Sequence, residues 1–234
     1  MSSRWVESAL SWWEQAGVDT IVSETPRDWL AATTPAAKAP AAPTPVAEES
    51  LPDELGAFQA WLATTDTLPL AGPGTRRVPP AGAATSGLMI ISDVPSAEDV
   101  AAGHLFSGEQ GDLLNRMLKA VGLDRDALYM APFSPIRPSA GKLGQAGVDY
   151  LTRIMRHHIA LVAPRALLVF GDGCSRALFG APTAQTRGRW HEVETLHGPV
   201  KAVVTMRPQE LLKQPKLKAL AWADLQMLME GLEP

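Results

Sequence analysis

Short apolar runs alternate with helical apolar stripes over the second half of the chain, and this alternation predicts an α/β fold. The runs predict strands at 88–91, 128–130, 166–170 and 200–205. The stripes predict helices at 111–121, 148–162, 175–179 and 208–232, the last with a break near Pro215. Because these strands are apolar runs without polar alternation, we expect both faces of their sheet to be buried. The pattern therefore predicts a three-layer α/β/α sandwich around a four-stranded parallel sheet.

The first part of the chain has a different composition. Residues 31–50 are nearly all alanine, proline and threonine, which predicts an extended linker, and 51–86 predict a short helix and a loop before a main domain over 87–234. Residues 1–30 form a tryptophan-rich segment with helical periodicity. It either docks on the main core or buries its aromatic rings in a partner protein. Its anchors are Trp5, Trp12, Trp13 and Trp29.

Charge and cysteine content narrow the classes of function. The net charge is −4, so contact with nucleic acid requires a local basic patch, for which the candidates are Arg153, Arg156, Arg165, Arg187 and Arg189. The chain has one cysteine, Cys174, which excludes an internal disulfide and a cysteine-rich metal site. No signal peptide or long apolar segment is visible, so we expect a cytoplasmic protein without membrane contact.

Three motifs are candidates for function, and the first and third of them follow predicted strands, where functional residues of parallel sheets collect. The first is Ser92-Asp93-Val94-Pro95-Ser96. The second runs from Gly103 to Leu114 and contains Phe106, Gly108 and Gly111. The third is Arg207-Pro208-Gln209-Glu210-Leu211-Leu212.

These motifs resemble the pocket motifs of the uracil-DNA glycosylase superfamily, especially its bacterial branch that carries an iron–sulfur cluster. The resemblance covers roughly 87–228 and implies a DNA N-glycosylase that hydrolyses the bond between uracil and deoxyribose. It implies that Asp93 positions water, that Phe106 stacks on the flipped base and that Arg207 stabilises the departing anion. The residues implied to contact substrate are Phe106, Pro95, Ser96 and Gly108. Both residues also have structural interpretations. Asp93 is typical of a capping or turn residue after a strand, and Phe106 is typical of a core phenylalanine in a loop.

Several family positions hold other residue types. The two glycines of the first motif are serines, and Pro132 stands where the family has the asparagine that reads the base edge. Arg207 replaces a histidine. The internal cysteines that would hold the cluster correspond to Ile136 and Leu151, so no cofactor is expected. The sequence thus predicts a glycosylase-like protein of DNA repair or replication that is either an active hydrolase or a pseudoenzyme, with DNA, single-stranded DNA included, as its partner.

A second resemblance, to the psi subunit of the bacterial clamp loader, rests on 12–18 and 26–29 and on the core segments 88–95 and 123–132. It implies a non-catalytic accessory subunit that binds a replication or repair protein through its tryptophan-rich N-terminus. Proline at position 132 is expected in that case.

Overall fold

The computed structural model describes residues 50–138 and 143–232. The predicted tryptophan-rich segment and nearly all of the predicted linker lie outside these residues, so the predicted domain boundaries stay predictions. None of the described helices is long and apolar enough to cross a membrane.

Five strands and eight helices alternate along the described chain. The strands are β1 (Leu88–Ser92), β2 (Tyr129–Pro132), β3 (Ala166–Phe170), β4 (Trp190–Thr195) and β5 (Gly198–Thr205). The helices are α1 (Leu55–Thr64), α2 (Ala97–Ala102), α3 (Gly108–Ala120), α4 (Gln145–Val162), α5 (Asp172–Phe179), α6 (Thr183–Thr186), α7 (Pro208–Lys213) and α8 (Lys218–Leu232). The predicted break near Pro215 is confirmed, because a short 3-10 turn over Pro215–Leu217 separates α7 from α8.

The sheet has the strand order β2-β1-β3-β5-β4. The first four strands in that order are parallel, and β4 is antiparallel to β5 at the edge. The α/β fold is confirmed, but the predicted four-stranded parallel sheet is wrong in strand number, since the sheet has five. The missed strand is β4, in which only Val193 is buried. Its sequence therefore lacks the apolar run that marks the central strands.

Side chains of the central strands alternate between two apolar layers. In β1, Met89 and Ile91 face the layer that contains Phe58 of α1 and Leu151 of α4. Leu88 and Ile90 face the opposite layer, where α3 and α8 contribute Leu114, Leu118, Leu225 and Leu228. Burial on both faces is what the uniform apolar runs require, and it leaves the loops at the strand ends free to carry polar groups.

Candidate functional site

The carboxyl ends of β1, β3 and β5 bring two residues of the predicted site together. Asp93 follows β1, and Arg207 follows β5 after one residue. Between them lies the turn that leads from β3 into α5, and the Gly173 backbone N–H donates to Asp93 Oδ2 at 2.8 Å. A side chain at Gly173 would overlap the Asp93 carboxyl group, and a Cβ at Gly171 would lie 2.8 Å from Arg207 Cδ. The two glycines are therefore required by this close approach.

Burial raises the pKa of Asp93 above its ordinary value. The hydrogen bond from Gly173 and the charge of Arg207 oppose that shift, and the charge of Glu210 adds to it. A carboxyl group in this environment is a weakly solvated acceptor, which is suited to orienting a water molecule when one can reach it.

The guanidinium group of Arg207 is paired with a carboxylate of its own helix. Its Nε and Nη2 atoms donate to Glu210 Oε1 at 3.2 and 2.9 Å, and the Arg207 backbone N–H donates to Glu210 Oε2 at 3.2 Å. The charge available to stabilise an anion is reduced accordingly. Sequence reasoning missed Glu210, although a glutamate three residues after a helix N-cap is the position from which a side chain returns to the cap.

Phe106 is almost fully buried, with an exposed fraction of 3%. Its ring packs edge-on against Phe170, with centroids 5.6 Å apart, and its backbone has a φ of 54°. Arg125 fixes this loop by donating to the carbonyl oxygens of Leu105 at 2.6 Å and Phe106 at 3.2 Å. Phe106 is thus a core side chain, although it also lines the space in front of the motif loops.

That space is a cavity of about 40 Å³. Because a buried water molecule requires roughly 10–15 Å³ of such space, the cavity has room for roughly three waters. Most of its lining is polar, and the residues are Ser92, Val94, Ser96, Asp99, Phe106, Gln110, Arg137, Arg207 and Gln209.

A buried carboxylate that sequence reasoning missed, Asp99, organises one side of the cavity. It accepts hydrogen bonds from the backbone N–H groups of Ser96 at 2.9 Å and Ser107 at 2.8 Å, and from Gln110 Nε2 at 3.0 Å. The Ser96 hydroxyl oxygen accepts from Asp99 N at 3.0 Å and Gln110 Nε2 at 2.9 Å. The spacing of Ser96 and Asp99 is that of a capping box, which could have identified both as caps of α2.

The other predicted contact residues lie around this network. The Pro95 carbonyl accepts from Arg137 Nη1 at 2.8 Å. Gly108 begins α3 with a φ of 64°, and a side chain there would collide with the Glu98 carboxylate. Pro132 ends β2 beside Ser92 and offers no polar side-chain atom to the site. Trp5, Trp12, Trp13 and Trp29 lie outside the described residues.

Comparison with known proteins shows the family of this chain. The family model of the uracil DNA glycosylase superfamily matches residues 79–226. The chain belongs to the uracil-DNA glycosylase superfamily. The type-4 uracil-DNA glycosylase of Pyrobaculum aerophilum is 24% identical over 185 residues, which cover 76% of this chain and 94% of that protein. The type-4 uracil-DNA glycosylase of Archaeoglobus fulgidus is 23% identical over 168 residues, or 67% of this chain and 82% of that protein.

The iron–sulfur cluster of the resembling branch does not fit the residues of this superfamily member. Ile136 and Leu151, at the positions matched to cluster cysteines, are both buried in the apolar layer beside Phe58 and Leu62. Such clusters require several cysteine thiolates, and the chain has only Cys174, which is buried in α5. Burial raises the pKa of the Cys174 thiol well above its ordinary value, which disfavours the thiolate. Among the described residues, no histidine, cysteine and carboxylate groups cluster as a metal site would require.

Proposed function

We propose that this chain is a uracil-DNA glycosylase-like protein of DNA repair or replication whose base-excision chemistry is degenerate. Membership of the superfamily and the names of its relatives support DNA as the ligand. The proposal that chemistry is lost depends on the site.

The size of the cavity beside Phe106 carries the proposal. Base excision requires the flipped base to enter a pocket and stack on an aromatic face. The cavity has room for roughly three waters, each of which takes about 30 Å³ in the liquid, and a pyrimidine ring with its exocyclic oxygens needs more space than that. The loop that would have to open is held by Arg125 on one side and Asp99 on the other. A base is therefore excluded unless both sets of hydrogen bonds break.

The chemical groups support the same proposal. Pro132 cannot read a base edge, and a site built around such an amide loses most of its selectivity when the amide is absent. The Arg207 charge is shared with Glu210, and one oxygen of Asp93 is occupied by the Gly173 N–H. Each of these changes weakens one of the interactions that a glycosylase needs in its transition state.

An active glycosylase is the second candidate, and one observation favours it. Asp93 and Arg207 meet at the carboxyl edge of the sheet, and Arg207 lines the same cavity as Phe106. If the loop that carries Phe106 opened, Asp93 would position water, Arg207 would stabilise the uracil anion, and Pro95, Ser96 and Gly108 would lie beside the substrate.

A degenerate glycosylase would act as an accessory subunit, and the partner contacts would come from Trp5, Trp12, Trp13 and Trp29. This part of the proposal rests on the sequence alone. A pull-down with the full chain and with a chain that lacks residues 1–30 tests it: loss of a replication or repair protein on truncation is expected, and full retention would contradict it.

Excision under single-turnover conditions tests the loss of chemistry. The protein is incubated in excess over single- and double-stranded oligonucleotides that contain one uracil, and abasic sites are cleaved with alkali. We expect wild type, Asp93→Ala and Phe106→Ala to give the same background. Excision by wild type that both variants abolish would establish the active enzyme instead.

A further inference from the structure

The sheet has one edge that is covered and one that is open. At the β2 edge, the segment that precedes β1 runs alongside the strand, and Ala81 and Met130 exchange backbone hydrogen bonds of 2.9 and 2.8 Å. β4 forms the other edge, and within 50–138 and 143–232 no strand or bridge pairs with its outer side. The outer side of β4 is therefore where the described sheet can accept a further strand.

The register of the sheet decides which backbone groups face this open side. The Gly171 backbone N–H donates to the Thr205 carbonyl at 3.2 Å, so the backbone of Thr205 is directed at the end of β3 and away from β4. Because backbone direction alternates along a strand, the backbone of Lys201 is also directed at β3. Its partner in β4, Glu192, therefore forms a non-hydrogen-bonded pair with it. The N–H and C=O groups of Glu192 and, by the same alternation, of Glu194 point to the open side.

The open edge also carries two exposed carboxylates, since the side chains of Glu192 and Glu194 lie on one face of β4. Glu192 lies opposite Lys201 in the register, but none of the ion pairs among the described residues includes either glutamate. The hairpin turn after β4 adds Leu196, whose exposed fraction of 80% is the largest among the bulky apolar side chains of the described chain. The edge thus combines backbone groups that can accept a strand with two negative charges and an exposed apolar side chain.

The two carboxylates narrow the choice of strand that can occupy this edge. If β4 paired with β4 of a second copy about a twofold axis, Glu192 would face either its own counterpart or Glu194 of the second copy in the registers that overlap most of the strand. Like charges that lie directly opposite each other across two strands are destabilising, and the same carboxylates repel a phosphate backbone. A strand with lysine or arginine at alternate positions meets both requirements, because its backbone pairs with β4 while its cations lie opposite the glutamates.

We propose that the outer side of β4 binds an extended segment of a partner protein in which every second residue is lysine or arginine. The segment adds a strand to the sheet, so main-chain hydrogen bonds supply affinity and the alternating cations supply specificity. Leu196 gives an apolar contact beyond the last glutamate. This surface is distinct from the cavity beside Phe106, whose lining residues follow β1 and β5 at their carboxyl ends.

Fluorescence anisotropy of the full chain with a labelled peptide of alternating lysine and valine tests the backbone pairing. Two further peptides are N-methylated, one at the lysines and one at the valines, because this change removes donors and leaves the charge intact. Only one set of N–H groups can face β4, that of the lysines in an antiparallel segment and that of the valines in a parallel one. We expect one methylated peptide to bind about 5- to 150-fold more weakly, since two hydrogen bonds are lost, and the other to retain most of the affinity. Equal affinities of the two methylated peptides would overturn the proposal.

A charge-swap variant tests the carboxylates. Glu192→Lys, Glu194→Lys should bind the lysine–valine peptide about 2- to 30-fold more weakly than wild type and should bind a glutamate–valine peptide better. The matched control is Glu109→Lys, Asp126→Lys, which makes the same change of charge at exposed positions on α3 and just before β2, the opposite edge strand. Circular dichroism and thermal unfolding check that both variants fold. An equal loss in the control, or wild-type affinity in the charge-swap variant, would show that the cations do not lie beside these glutamates.

Amide hydrogen exchange, followed by nuclear magnetic resonance, locates the bound peptide on wild type. In the free protein the amides of Glu192 and Glu194 should exchange faster than those of His191 and Val193, which are directed at β5. The lysine–valine peptide at about 100 times its Kd should slow exchange at Glu192 and Glu194 by about 100-fold. Unchanged exchange at these two amides in the complex would place the peptide elsewhere and contradict the proposal. Uracil excision by wild type would refute the degenerate chemistry but leave this inference intact.

Discussion

Replacing Asp99 by asparagine should destabilise the fold strongly, because this buried carboxylate joins the loop after β1 to the loop that carries Phe106. Its two oxygens accept three hydrogen bonds, two from backbone N–H groups and one from Gln110. An asparagine keeps one acceptor oxygen and turns an NH₂ group toward a donor. Hydrogen bonds to charged groups contribute about 1.5–3 kcal/mol each, and a buried donor left unpaired costs about 1–3 kcal/mol. We therefore expect a loss of about 2–4 kcal/mol in the free energy of unfolding.

Urea titration and thermal unfolding measure this loss, which corresponds to about 4–16 °C in Tm for a protein of this size. Glu98→Gln is the matched control, because it removes the neighbouring carboxylate, which is exposed. Its effect should stay within about 0.5 kcal/mol, as for ordinary surface substitutions. If Asp99→Asn changes stability no more than Glu98→Gln does, the hydrogen bonds assigned to Asp99 do not hold the loop.

Three further predictions concern buried titratable groups. Because burial raises the pKa of Asp93, the folded protein binds more protons than the unfolded chain as pH rises above 3.8, and its stability falls as pH rises from 3.8 through the raised pKa. Asp93→Asn should therefore be more stable than wild type at pH 7. Measurements of Tm against pH should show that the difference in Tm between the variant and wild type disappears below pH 3.8. Burial, and to a smaller extent the charge of His157, lowers the pKa of His158 from 6.5 to about 3, so stability should fall as pH falls between these values. Denaturant titrations should show a flatter pH dependence for His158→Gln than for wild type, and an equally steep one in the variant would contradict this assignment. Arg187→Ala leaves Asp224 buried without its cation and should lower the free energy of unfolding, measured in urea, by about 3–5 kcal/mol. Adding Asp224→Asn should recover part of that free energy, and an equally large loss in the double variant would contradict the pairing.

The central strands and the site loops could be predicted because their signals are local. The apolar runs of β1 and β3 are sufficient to indicate a sheet covered on both faces. Three helices begin three residues earlier than predicted, at Gly108, Gln145 and Asp172, since their first turns contain few apolar residues. Apolar and polar residues alternate only weakly in the edge strand β4, so its sequence does not identify it as a strand. Its hydrogen-bonded pairing with β5 does.

The interior of the site could not be predicted, because its contacts join distant residues. Asp93 meets Gly173 across 80 positions, and the burial of the loop residue Phe106 depends on Phe170 of β3. Glu210 and Asp99 carried local capping signals, but their effect on the cavity depends on which loops meet at the sheet edge. A motif therefore indicates which residues approach the site, while the packing around them decides whether a base can enter.

A crystal structure of the full chain with a short uracil-containing single strand tests the central claim most directly, namely that the cavity beside Phe106 does not receive a base. We expect Phe106 still to be packed against Phe170, with no base between Asp93 and Arg207. A uracil ring stacked on Phe106, with Asp93 directed at its glycosidic bond, would contradict the account.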